Sequence, residues 1–201
     1  QIGDVTLWSG FRGDGKSSLI SYLMMSLLAQ EQTVFVASLE IKAERVAKRM
    51  ITSGLGRLPN KHDVATFVSE CGPNLIFCDK IGFITQNELL EMMRYSYQRY
   101  GAQHFFIDSL MRISKLEEDY PQQAEFMNSL CEFSKSTGVN VHLVAHPRKP
   151  PPGVSGGDKS VKGSSAIENS VDNVAFVVRN RNKDGLADYD TEIKVTKQRE
   201  L

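Results

Sequence analysis

With 201 residues, of which 41% are apolar and 24% charged, the chain has the size and composition of one globular domain, which we expect to span residues 1–201. Its 24 basic and 24 acidic residues give a formal net charge of zero, which argues against a surface that attracts nucleic acid by total charge and leaves room for a local basic channel. The sequence shows neither an apolar run of membrane-spanning length nor a secretory leader, so we expect no membrane partner.

The first predicted strand, over residues 5–8, leads through a glycine-rich turn into a helix predicted over residues 18–29. The turn fits the phosphate-loop pattern G-x-x-x-x-G-K-[ST], because glycines let successive backbone N–H groups face a polyphosphate. Lys16 is predicted to reach the β- and γ-phosphates, and Ser17 to coordinate Mg²⁺. The alternative is a glycine-rich turn with a chance lysine. The predicted residues of this ATP- or NTP-binding site are Gly10, Arg12, Gly13, Asp14, Gly15, Lys16, Ser17 and Ser18.

The second predicted strand, over residues 33–39, ends at Glu40 and is followed by a helix over residues 43–51. Glu40 is the candidate for the group that orients the attacking water, since it would face the γ-phosphate from the neighbouring strand tip. The alternative is a glutamate that merely starts the helix. A short helix over 63–68, a strand over 75–78 and a helix over 87–100 are predicted next.

Two further strands end in polar side chains. The strand predicted over residues 104–108 ends at Asp108, which is expected to hold the Mg²⁺ shell; the alternative is an aspartate that caps a turn with Ser109. A helix over 122–136 precedes a strand over 139–145, and His146 follows it. From this position His146 would sense the γ-phosphate, although a histidine at a strand end is often only a polar terminus.

The remaining sequence begins with a Pro-, Gly- and Lys-rich stretch, residues 147–162, whose composition predicts a mobile loop. A short helix over 163–168, a strand over 174–178, a turn over 182–185 and a strand over 191–195 follow. Lys197 and Arg199 come after this last strand, where they would reach the nucleotide of a neighbouring subunit. An exposed charge pair on a sheet edge is the alternative.

The alternation of strands and helices predicts an α/β fold with a mainly parallel central sheet flanked by helices. Ligands of such sheets bind at the carboxyl ends of the strands, and we expect all the polar residues singled out above to lie at such ends. The three cysteines have no C-x-x-C spacing, so neither a disulfide framework nor a zinc site is predicted.

Six separated motifs occur in one order along the chain. They are the phosphate loop, Ser38-Leu39-Glu40-Ile41, Phe106-Ile107-Asp108, Leu143-Val144-Ala145-His146-Pro147-Arg148-Lys149, Gly163-Ser164-Ser165-Ala166-Ile167-Glu168 with Asp172, and Lys197-Gln198-Arg199. Together they resemble the RecA-type motor domain of the DnaB-family replicative hexameric helicases. The stretch from His146 to Lys149 is most similar to the branch that contains the mitochondrial helicase Twinkle and the bifunctional phage primase-helicases.

The resemblance implies a RecA-like P-loop NTPase fold and a homo-oligomeric ring, usually a hexamer, that hydrolyses ATP with Mg²⁺ at subunit interfaces. It implies that Glu40 is the catalytic base, that His146 is the phosphate sensor, and that Arg199, assisted by Lys197, enters the neighbour's site as a finger. Single-stranded DNA would run through the ring, with 5′-to-3′ polarity. The segments 114–121 and 148–162 would line the channel, and the latter would bind DNA phosphates through Arg148, Lys149, Lys159 and Lys162.

The resemblance also implies a setting in replication. Primase and replicative polymerase are expected as further partners, in the cytoplasm of a bacterium or phage-infected host, or in the mitochondrial matrix. Because the sequence starts and stops at strand signals, we expect a domain of a longer protein, with the amino-terminal primase or linker region absent.

Two other hypotheses remain open on the residues. A RecA- or RadA-like recombinase would share the fold and assemble without unwinding DNA. A nucleotide-dependent assembly or loader ATPase would bind DNA or a replication partner and hydrolyse slowly. Glu40 and Arg199 favour the helicase over the loader, since a binding module needs neither residue.

Overall fold

A computed structural model describes residues 2–113, 119–147, 165–180 and 191–199. The strands of this part of the chain are β1 Val5–Ser9, β2 Val34–Ser38, β3 Leu75–Phe77, β4 His104–Asp108, β5 Asn140–Ala145, β6 Asn173–Arg179 and β7 Thr191–Gln198. Its α-helices are α1 Lys16–Leu28, α2 Ala43–Leu55, α3 Lys61–Cys71, α4 Gln86–Tyr100, α5 Tyr120–Thr137 and α6 Ser165–Ser170. Of these described helices, none combines the length and the apolar character needed to cross a membrane.

The strands form one sheet in the order β3-β2-β4-β5-β1-β6-β7. All neighbours are parallel except β6 and β7, which pair as an antiparallel hairpin. The predicted α/β fold, a mainly parallel sheet flanked by helices, is therefore confirmed. Because β5 lies between β1 and β4, the phosphate loop after β1 and the carboxylate at the end of β4 are separated by the width of one strand.

Helices cover both faces of the sheet, which explains why its central strands are apolar at almost every position. In β4, Phe106 packs with residues of α1, α2 and α3, whereas Phe105 and Ile107 pack on the opposite side with residues of α4 and α5. Alternate side chains of a strand point to opposite faces, so each of these three residues is almost fully buried.

Two helices are longer than predicted. Helix α2 continues past Gly54 to Leu55 and ends at Gly56, whose φ of 68° is in the left-handed region. Gly54 is accommodated inside the helix because a Cβ there would lie 3.2 Å from Cε of Met25 in α1, so its lack of a side chain lets the two helices approach. Helix α3 begins earlier than predicted, after an Asn60 and Asp63 capping box.

A similar box at the start of α4 makes stability depend on pH. Glu88 accepts hydrogen bonds from Lys80 Nζ at 2.7 Å and from the backbone N–H of Thr85 at 2.8 Å, and these donors lower the pKa of Glu88 to about 2. A lowered folded-state pKa stabilises the fold above the ordinary pKa, and that contribution disappears as pH falls towards the lowered value. We expect the parent to be more stable than Glu88→Gln at pH 6, with the difference shrinking below pH 4.5 in urea unfolding. Glu91→Gln, on an exposed position of α4, is the matched control and should show no such trend.

The strand register brings four strand ends to one level. Ser9 pairs with Ala145, Ser38 pairs with Asp108, and Asp108 pairs with Val144. Residues that follow these positions therefore share one edge of the sheet. This edge carries Lys16, Ser17, Glu40, Asp108 and His146, as the sequence predicted.

The expectation that Lys197 and Arg199 lie at the same edge is wrong. Strand β7 runs antiparallel to β6, so its carboxyl end pairs with Asn173 at the beginning of β6. The six residue steps of β6 then separate this end from the phosphate-loop edge by about 20 Å. The sequence motif did not reveal this, because a hairpin reverses the edge at which the end of a strand lies.

Candidate active site

A cleft of about 1220 Å³ lies at the carboxyl edge of the sheet, between the phosphate loop and α2. Five residues predicted to carry the chemistry line this one cleft although they come from four separate stretches of chain: Lys16, Ser17, Glu40, Asp108 and His146. The predicted ligand-binding residues Arg12, Gly13, Gly15 and Ser18 line it as well. Its volume suits a ligand of nucleotide size.

The conformation of the phosphate loop depends on its glycines. Gly13 and Gly15 have φ values of 90° and 93°, which side chains rarely allow, and a Cβ at Gly10 would lie 2.5 Å from the carbonyl oxygen of Val177. Asp14 is buried and its carboxylate accepts a hydrogen bond from the backbone N–H of Phe11 at 3.2 Å. Gly10 and Asp14, predicted to contact the ligand, instead lie beneath the loop and shape it.

Lys16 bridges the loop and the central sheet. Its Nζ donates hydrogen bonds to the carbonyl oxygens of Ala145, at 3.2 Å, and Gly10, at 3.4 Å. Burial lowers the pKa of Lys16, and the nearby carboxylates of Asp108 and Glu40 oppose that effect. A buried ammonium group held only by carbonyl oxygens favours an anionic ligand, because phosphate oxygens would supply the missing counter-charge.

Asp108 suits a divalent cation. Burial raises the pKa of its carboxyl group, and the positive charge of Lys16 offsets only part of this effect. A cation beside this desolvated carboxylate would stabilise its charged form, and Ser17 brings a hydroxyl to the same cleft. Both are hard oxygen ligands of the kind that Mg²⁺ takes together with substrate phosphates. Within the described ranges no group of three or more His, Cys, Asp or Glu residues forms a protein-only metal site.

Glu40 and His146 lie on either side of Asp108 at the strand tips. Glu40 follows Leu39, whose backbone N–H donates to the carbonyl oxygen of Asp108 at 2.8 Å. His146 follows the β5 residue whose carbonyl oxygen holds Lys16, and its positive charge would lower the pKa of Asp108. The two side chains are therefore near the position expected for a terminal phosphate bound by Lys16.

Four basic residues of the cleft escaped the sequence interpretation. Arg45, Lys48 and Arg49 come from α2, and Arg179 comes from the end of β6, where its Nη1 lies 3.4 Å from the carbonyl oxygen of Gly13. The spacing of the three α2 residues places them on one helix face, a signal present in the sequence. With Arg12 and Lys16 they outnumber the carboxylates of Glu40 and Asp108 among the lining residues, so the cleft favours a polyanion.

At the opposite edge of the sheet, Arg199 and Lys197 are bound within their own chain. Arg199 Nη1 lies 2.9 Å from Oδ1 of Asp172, whose Oδ2 accepts a hydrogen bond from the backbone N–H of Val5 at 3.0 Å. Lys197 Nζ donates to three carbonyl oxygens at the end of α6, at 2.7–2.9 Å, those of Glu168, Asn169 and Val171. Lys197 therefore joins β7 to α6, and half-exposed Arg199 remains the more accessible of the two.

The contacts of Lys197 predict a structural effect. Lys197→Met leaves the three carbonyl oxygens without this donor, and we expect a loss of about 1–3 kcal/mol in the free energy of unfolding. Lys194→Met is the matched control on the same strand, because Lys194 forms only an exposed pair with Glu192. Urea denaturation of both variants tests this; equal stabilities would show that the carbonyl contacts of Lys197 contribute nothing.

The four residues predicted to bind DNA, Arg148, Lys149, Lys159 and Lys162, lie outside the described residues, as do positions 114–118 of the other predicted channel segment. Their roles stay predictions.

Comparison with known proteins gives two findings. Residues 2–152 match the sequence model of the family described as AAA domain. A solved structure of the ATPase domain of a DnaB-family helicase is similar with a TM-score of 0.76 and 16% sequence identity, over 100% of this chain and 79% of that one. At this identity the likeness establishes a shared fold, which includes the elements that line the cleft.

Proposed function

The chain belongs to the AAA domain family and has the fold of a DnaB-like, RecA-type ATPase domain, and on this basis we propose that it is the ATP-driven motor domain of a ring-forming DNA helicase. One observation carries the hydrolase part of the proposal: a single basic cleft gathers Lys16, Ser17, Glu40, Asp108 and His146. Phosphoryl transfer to water needs a phosphate cradle, a cation site, a water-orienting group and positive charge, and these residues supply such groups.

In the proposed reaction, the loop N–H groups and Lys16 bind the β- and γ-phosphates of ATP. Ser17 and Asp108 would hold Mg²⁺, which neutralises charge on the phosphate oxygens. A water molecule gives a proton to Glu40 as its oxygen attacks the γ-phosphorus, the bond to the β–γ bridging oxygen breaks, and ADP and phosphate leave. His146 would contact the γ-phosphate and change its contact when phosphate departs.

The subunit-interface part of the proposal concerns Arg199. Its position about 20 Å from the cleft of its own chain excludes a role there and is compatible with one in the cleft of a neighbour. We infer a homo-oligomer, a hexamer by resemblance, in which Arg199 of one subunit stabilises the transition-state charge in the next. Lys197, through its contacts with α6, would support the strand that carries Arg199.

Single-stranded DNA is the proposed track. The support is the helicase resemblance together with the basic residues Arg148, Lys149, Lys159 and Lys162 of one sequence segment. A neutral chain with a basic channel would bind DNA in a salt-dependent manner, and translocation from 5′ to 3′ is the polarity that the resemblance implies.

The test measures ATP hydrolysis with and without oligo(dT), then unwinding of forked duplexes whose single-stranded arm is offered at the 5′ or the 3′ end. A helicase motor is expected to hydrolyse faster with oligo(dT) and to unwind the fork that offers a 5′ arm. Strand exchange between homologous DNAs without unwinding would favour the recombinase. Slow hydrolysis that ignores DNA in an assembled protein would favour the loader.

A further inference from the structure

The carboxylate of Glu40 is held by a turn that the sequence motifs do not include. Its Oε1 accepts hydrogen bonds from Ser109 Oγ at 3.1 Å and from Arg112 Nε at 3.3 Å. Both donors belong to the short turn that begins immediately after Asp108. No hydrogen bond joins Oε2 to another of the described side chains, so this oxygen is available to water.

The turn itself is fixed by its backbone. The Arg112 N–H donates to the carbonyl oxygen of Ser109 at 3.0 Å, and the carbonyl oxygen of Arg112 accepts from the N–H of Ile84 at 3.0 Å. Ser109 is fully buried, and Ile84 and Ile113 are almost so. Arg112 therefore extends from a rigid base, and only its side chain is free to move.

An aromatic ring restricts that side chain. The guanidinium carbon of Arg112 lies 5.6 Å from the ring centroid of Phe83, within the range of a cation–π contact. Phe83 directly precedes Ile84, whose backbone binds the turn. The guanidinium group is thus held between the ring of Phe83 and the carboxylate of Glu40.

This arrangement suits orientation better than stability. The side chains of Arg112 and Glu40 are 39% and 36% exposed, and pairs this exposed contribute only about 0–1 kcal/mol to folding. A general base, by contrast, is sensitive to geometry, since a displacement of about 1 Å can cost about 10²-fold in rate. Fixing Oε1 with two donors leaves Oε2 in one orientation towards the water.

We propose that Arg112, supported by Phe83, is a positioning residue that orients the Glu40 carboxylate for ATP hydrolysis. This inference rests on the proposed function, because it assumes that Glu40 activates water. Arg112 acts through Glu40 and does not itself contact the phosphates.

The first test is Arg112→Ala in a steady-state ATPase assay. We expect kcat to fall by about 10-fold or more, with KM and the urea unfolding midpoint unchanged. Arg112→Lys should recover part of the rate, because an ammonium group still donates to Oε1 but lacks the planar guanidinium that stacks on Phe83. Arg94→Ala, an exposed arginine of α4, is the matched control and should keep the parent kcat.

The second test asks whether Arg112 acts through Glu40. In a Glu40→Gln background, Arg112→Ala should cause no further loss in single-turnover hydrolysis of radiolabelled ATP. The positioning role is overturned if Arg112→Ala keeps the parent kcat, or if it causes the same fold-loss in both backgrounds, and in either case the hydrolase proposal survives. A parent protein that binds ATP and never hydrolyses it would instead refute the proposed function, and the positioning role with it.

Discussion

Glu40→Gln is expected to lower kcat for ATP hydrolysis by about 10²- to 10⁴-fold, the range that general-base catalysis contributes. The amide has nearly the shape of the carboxylate, and its oxygen still accepts from Ser109 and Arg112. It cannot take a proton from water. The loss should therefore appear in kcat, whereas the dissociation constant of a fluorescent ATP analogue, measured by anisotropy, should stay unchanged or fall, because a negative charge near Lys16 is removed.

Glu44→Gln provides the matched control. Glu44 lies in the first turn of α2, four residues further along the chain, and is exposed. The same change of charge there should leave kcat at the parent value. If Glu40→Gln kept the parent kcat, or if both variants lost rate equally, Glu40 would not be the base and the glutamate would serve only the start of the helix.

Arg199→Ala is expected to lower ATP hydrolysis by about 10³- to 10⁵-fold in the assembled protein, as the loss of an arginine finger does in other nucleotide hydrolases. The fold requires that this effect cross a subunit boundary, because β7 carries Arg199 to the far edge of the sheet. A mixing experiment tests that requirement directly. Neither Arg199→Ala nor Lys16→Ala should hydrolyse ATP alone.

Mixed oligomers of these two variants should regain part of the activity. An interface that joins the intact cleft of an Arg199→Ala subunit to the Arg199 of a Lys16→Ala subunit contains every required group. Co-purification through differently tagged subunits verifies that mixed oligomers form. Mixed oligomers that stay inactive, or an assembled Arg199→Ala protein that keeps the parent kcat, would contradict a shared site.

The bond between Arg199 and Asp172 calls for a separate control, since Arg199→Ala also leaves the nearly buried Asp172 without its partner. Asp172→Asn weakens the same pair and keeps Arg199, while the amide oxygen still accepts from the backbone N–H of Val5. It should retain hydrolysis while losing some stability in urea. Hydrolysis lost equally in both variants would assign Arg199 a structural role within its own chain.

The elements of the fold were predictable because their signals are local. Apolar runs ending in Ser9, Ser38 and Asp108 predicted buried parallel strands, and the glycine pattern before Lys16 predicted the phosphate loop. Helix ends were harder to predict. Gly54 looked like the end of α2, but contact with Met25 of α1 keeps it inside the helix. That contact joins residues far apart in sequence and has no local signal.

The sequence by itself determined which chemical groups the cleft contains. Lys16, Ser17, Glu40, Asp108 and His146 each follow or end a predicted strand, and the rule that ligands bind at carboxyl strand ends was enough to group them. Their detailed roles remain predictions that the variants above test.

Only the tertiary structure decided how those groups are held and which other groups join them. The α2 residues Arg45, Lys48 and Arg49 face the cleft because α2 packs beside α1, and Arg112 reaches Glu40 because β4 pairs with β2. The antiparallel pairing of β7 moves Arg199 away from its own cleft. Strand pairing and helix packing arise from contacts between distant segments, so a linear pattern contains the residues but not their neighbours.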